Sequence, residues 1–81
     1  MPTINISKDE EIIFKDFREG NSVQVRVTVP PGEEKNYKKG TTVKVVHGEV
    51  ENDGKIVSDP LVIGSPFNDE NRTISLIVEM I

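Results

Sequence analysis

The sequence predicts an all-β fold of five or six short strands, either a small antiparallel barrel or a two-layer sandwich. Three observations carry this. Val23, Val25, Val27 and Val29 alternate with Gln24, Arg26 and Thr28, the period-two signature of a strand with one buried and one wet face. Other short apolar runs are bounded by segments dense in Gly, Pro, Asn and Asp, which punctuate β-rich chains. Finally, 81 residues with a 35% hydrophobic share provide one thin core and no second domain,.

In chain order, residues 3–6 and 11–17 read as a hairpin, because Ile12-Ile13-Phe14 is β-prone,. The alternative is a helix near residues 8–19, which would make the fold α+β. Ser7-Lys8-Asp9-Glu10 fits a capping box, acids crowd the first turn, and Gly20 stands where a C′ residue belongs,. Ile13, Phe14 and Phe17 would then form an apolar stripe. The pattern favours the hairpin.

Residues 22–29 form the clearest strand, ended by Pro30-Pro31-Gly32, whose prolines cannot donate to a ladder,. Residues 32–40 are a polar loop. Residues 41–51 form the next strand, with Val43 and Val45 on one face and Val46 and Val50 on the other. That change of phase predicts a β-bulge near residues 45–48. Asn52-Asp53-Gly54 is a strong hairpin-turn sequence, so residues 55–63 are expected to return as the partner strand, with Pro60 at an edge or a bulge. Residues 64–71 read as a second loop. Residues 72–81 are the last strand, with Ile74, Leu76, Val78 and Met80 on one face and Ile77 and Ile81 on the other.

Composition narrows the function. Cysteine is absent, which excludes disulfides and thiolate–zinc sites. The net charge is −4, opposite to what a duplex-DNA binder needs to displace counterions from phosphates. The N-terminal residues lack the basic and apolar regions of a signal peptide, and the longest apolar runs are three residues, as in Leu61-Val62-Ile63, far short of a membrane span. The expected compartment is the cytoplasm, without a membrane partner.

Four patterns bear on chemistry. Glu49-Val50-Glu51-Asn52-Asp53-Gly54-Lys55-Ile56 resembles the start of a calcium loop, but Glu replaces the first Asp and Pro60 stands where the bidentate Glu belongs,. A strand with an acidic face running into a turn is the preferred reading. His47 is the sole histidine and could share a strand face with Glu49 and Glu51,. Without a nucleophile motif it points to no catalysis, and the chain is expected to be no enzyme and to need no cofactor. Lys35, Tyr37, Lys38, Lys39 and Lys44 make the one basic cluster, a candidate single-strand nucleic-acid contact,. The neighbouring Glu33 and Glu34 favour a solvated loop instead. The stretch from Tyr37 to Val45 resembles the turn-into-strand of SH3-like barrels, over nine residues and in a form that unrelated folds share,.

The remaining pattern is the outward pair Ile77 and Ile81, where a half-exposed strand ordinarily carries polar residues,. Either the N-terminal segment covers them or a second copy of the chain does. The expectation is a homo-oligomer, most simply a two-fold dimer, with Ile77 and Ile81 at or beside the contact. The function that follows is a non-catalytic interaction or assembly module, of a kind suited to accessory proteins of phage or mobile elements. Its alternative is a single-stranded nucleic-acid-binding barrel using the loop at residues 35–44.

Overall fold

The computed structural model describes residues 1–63 and 71–81. Among them, six strands form one sheet curled into a nearly closed small barrel, with a single α-helix. The elements are β1 (Thr3–Asn5), α1 (Glu11–Arg18), β2 (Val23–Val29), β3 (Thr42–His47), β4 (Val50–Ile56), β5 (Leu61–Val62) and β6 (Arg72–Met80), with a 3-10 turn at Glu34–Tyr37. The sheet order is β1-β3-β4-β6-β2, and β5 pairs with β6 beyond the end of β4. All pairings are antiparallel except β1 with β3, which is parallel.

The period-two reading holds where it was clearest. β2 buries Val23, Val25 and Val29, and β6 buries Ile74, Leu76 and Val78. The two pair over seven positions, from Val23↔Val78 to Val29↔Arg72. β2 stops at Pro30, where the Glu33 amide donates to the Pro30 carbonyl and Gly32 takes φ +90°, as a Pro-Gly turn requires.

Three expectations are corrected. Residues 11–17 are not a strand. They belong to α1, and residues 3–5 pair instead with β3, in the register Ile4↔Val45. Tertiary burial overrides the β-propensity of Ile12-Ile13-Phe14: helical spacing sends Phe14 and Phe17 into the core together and leaves Ile12 in solvent,. The capping box does not form, since Glu10 is the N-cap and the Ser7 hydroxyl donates to Asp9 instead.

The second correction concerns the hairpin turn. β4 runs straight through Asn52-Asp53-Gly54, and the chain reverses at Gly48-Glu49, between the paired residues His47 and Val50. Gly48 has φ +62°, which both two-residue hairpin turns demand at their first central position. The phase change read as a bulge is this reversal: Val50 returns opposite His47 on the inner face. Thirdly, residues 55–63 do not return along β3. β4 pairs with β6 through Gly54↔Met80, Lys55↔Glu79 and Ile56↔Val78, and β5 continues it through Leu61↔Ser75 and Val62↔Ile74. The pairing sums shift by two residues between these segments, so residues 57–60 form the irregularity that Pro60 marks. The loop expected over residues 64–71 lies, apart from Asn71, outside the described residues.

The core is one cluster of thirteen residues, drawn from β1, α1, β2, β3, β4 and β6 together with Ile6. α1 closes the end of the barrel where β3 meets β4: Phe14 stacks on His47 with ring centroids 4.8 Å apart, and Phe17 is fully buried. Burying two such rings contributes roughly 1.5–3 kcal/mol each. No helix among the described residues is long and apolar enough to cross a membrane.

Candidate functional site

The barrel scatters the acidic pattern of residues 49–55. Glu49 sits in the reversal, while Glu51 and Asp53 lie along β4 opposite Val46 and Lys44. An extended, ladder-paired strand holds its alternate side chains on one open face, so these oxygens do not converge as they would in a curled loop. No group of three metal-ligating side chains occurs among the described residues.

His47 is parted from the same carboxylates. It shares the inner face with Val43 and Val45, stacks on Phe14, and places Nδ1 3.2 Å from the Ile6 carbonyl oxygen. Nδ1–H therefore donates to that carbonyl, and the ring ties β3, α1 and the residue after β1 together. Its role here is packing.

The basic cluster is spread over three elements. Lys35 and Tyr37 lie on the 3-10 turn, Lys38 and Lys39 in the turn before β3, and Lys44 on β3 itself. Tyr37, which would be the stacking ring of a nucleic-acid groove, is half-buried against the core. Lys44 faces Glu51 at 3.5 Å. Lys35, Lys38 and Lys39 are exposed and surround no aromatic face.

The most distinctive feature is apolar. Ile77 points outward and is 37% exposed, diagonal to Leu61 at 64%, with Ile63 at 42% farther along β6, level with Thr73. Register accounts for this. Leu61 lies opposite Ser75, and Ser75 and Ile77 alternate with the buried Ile74, Leu76 and Val78. The N-terminal segment does not cover this face. The backbone beneath it is well held: the Val57 amide donates to the Ile77 carbonyl at 2.8 Å, and the Ile77 amide to the Ser58 hydroxyl at 2.9 Å. Gln24 lies across Ser75 with a 2.6 Å hydrogen bond, and Glu79 accepts from the Ser22 hydroxyl at 2.7 Å. Polar side chains thus border the apolar residues on the β2 side.

Ile81 is also outward, at 70% exposure, but Glu79 separates it from Ile77. Four residues along a strand is about 13 Å, so Ile81 stands at the rim. Sequence reasoning missed Leu61 and Ile63, because it assigned their segment to a different partner strand. The legible signal was the uninterrupted Leu61-Val62-Ile63 run beside Pro60.

Comparison with family models, with curated proteins and with solved structures found no match.

Proposed function

We propose that the protein is a non-catalytic assembly module that self-associates through the outer face of β5 and β6. The observation that carries this is the exposure of Leu61 and Ile77 at diagonal positions of an edge strand and its neighbour, with Ile63 farther along the same outer face. Free apolar edge strands are sites of edge-to-edge pairing, and a rimmed apolar patch marks a protein contact. Among the described residues β5 pairs only with β6, which leaves its outer edge to meet the same edge of a second copy about a two-fold axis,.

Sedimentation equilibrium tests this reading. The wild type should sediment as a dimer at high micromolar concentration. Ile77→Lys and Leu61→Lys should each give a folded, monomeric species by far-UV circular dichroism and mass. A wild type that stays monomeric throughout that range overturns the reading.

A further inference from the structure

Among the described residues the sheet order leaves β1 and β2 each with one free edge, and those edges face each other, since residues of both segments line the same clefts. Their relative direction follows from the ladder. β1 runs with β3, and three successive antiparallel pairings separate β3 from β2. β1 and β2 therefore face one another antiparallel.

Two clefts lie end to end along this seam. In the first, of about 360 Å³, Asn5 and Ile6 face Gln24, Val25 and Arg26, with Ile13 of the helix alongside. In the second, of about 520 Å³, Met1 and Pro2 face Thr28, Val29 and Pro30. No backbone hydrogen bond joins β1 to β2 among the described residues.

The direction of every backbone group at the seam can be worked out. Lys44 donates to the Pro2 carbonyl at 2.9 Å and Ile6 donates to the Val46 carbonyl at 2.8 Å. Pro2, Ile4 and Ile6 thus spend their groups on β3, and alternation turns those of Thr3 and Asn5 toward the seam. On the other side, the Ile77 amide and carbonyl and the Thr73 carbonyl are all engaged away from β2. Gln24↔Ile77 and Thr28↔Thr73 are then non-hydrogen-bonded pairs, as is Arg26↔Ser75 between them,. Gln24, Arg26 and Thr28 accordingly direct their own N–H and C=O groups into the seam.

Two rows of backbone groups with no partner among the described residues, facing across a cleft, form a receptor for a third backbone,. We propose that the seam receives an extended peptide segment of another protein, added as a strand between β1 and β2. Its inward side chains are apolar, since Ile6, Val25 and Val29 are buried beneath the clefts. Its outward side chains include an acid beside Arg26, which is exposed and makes no ion pair among the described residues. The proposal uses a different surface from the β5–β6 face and holds for monomer or dimer.

Amide hydrogen exchange on the full chain tests it, with the peptide acetyl-Lys-Val-Thr-Val-Asp-Val-Thr-Lys-amide as probe. In the free protein the amides of Thr3, Asn5, Gln24, Arg26 and Thr28 should exchange fast while those of Ile4, Ile6, Val23 and Val25 exchange slowly. Saturating peptide should slow the first set, and the same peptide N-methylated at its valines should not. Replacing its Asp by Lys should weaken binding roughly two- to fivefold, the range of a cross-strand ion pair, and Arg26→Glu should reverse that preference. Slow exchange of the seam amides in the free protein would mean that β1 and β2 pair directly, overturning the proposal. So would the absence of slowing at saturating peptide, or slowing confined to β5.

Discussion

Gly54 shows how one residue can carry opposite meanings. In the sequence it closes an Asn-Asp-Gly turn, whereas in the barrel it lies inside β4. A β-carbon there would meet Phe17 Cε1 and Cζ and the Glu79 carbonyl oxygen, each at 3.1 Å. Glycine suits the position because Cε1 and Cζ of the Phe17 ring crowd the place a β-carbon would take. Gly54→Ala should destabilise the fold by about 1–3 kcal/mol, the range for overpacking, read from the urea midpoint. A second residue-scale prediction concerns Asp9, whose carboxyl is held below its ordinary range, chiefly by the Ser7 hydroxyl and then by its backbone amide. A lowered folded-state pKa stabilises above the unfolded value, and that contribution fades as pH falls through the folded one. Ser7→Ala should raise the Asp9 titration midpoint toward that of a free carboxylate in a carbon-detected NMR titration.

At the scale of elements, α1 ends more decisively than it begins. Asn21 donates to the Asp16 carbonyl and Gly20 to the Phe17 carbonyl, both at 3.1 Å, with Gly20 at φ +93°. This is the paired C-terminal closure that glycine at C′ permits. No side chain caps the N-terminus. Gly20→Ala should therefore cost about 1–2 kcal/mol, the penalty for a left-handed L-residue, measured as a lower melting temperature. Its space is open, so steric crowding would add nothing. The same glycine was readable as a helix stop, and α1 itself was readable as the alternative to a hairpin. What tipped the balance was non-local: one helical turn places Phe14 against His47 and Phe17 against Gly54, residues more than thirty positions away.

For the whole molecule, the helix is the plug of a barrel too small to fill its own end. Phe17 is wholly buried and packs α1 against Gly54 of β4. Truncating a buried Phe costs about 3–5 kcal/mol, a large part of the 5–15 kcal/mol typical of folded domains. Phe17→Ala should lower the melting temperature by about 12–40 °C, at about 4–8 °C per kcal/mol for a domain of this size, whereas Ile12→Ala, on the exposed side, should leave it within error. The open seam and the β5 edge are also whole-molecule properties. Each is a strand edge left over once the sheet order has been chosen.

The sequence by itself determined the β class, β2, β6 and the break at Pro30-Pro31-Gly32. Side-chain alternation and the missing proline amide act within a few residues of where they are written. It also placed Ile77 and Ile81 on the outward face, because that depends only on strand parity. Only the tertiary structure decided that residues 11–18 coil, that the reversal falls at Gly48-Glu49 rather than Asn52-Asp53-Gly54, and that residues 55–62 follow β6. It alone brought Leu61 and Ile63 onto the outer face that Ile77 shares and dispersed the basic cluster around a half-buried Tyr37. In each case two local conformations were open to the chain, and the choice rested on which distant partner could bury the apolar side chains and pair the backbone.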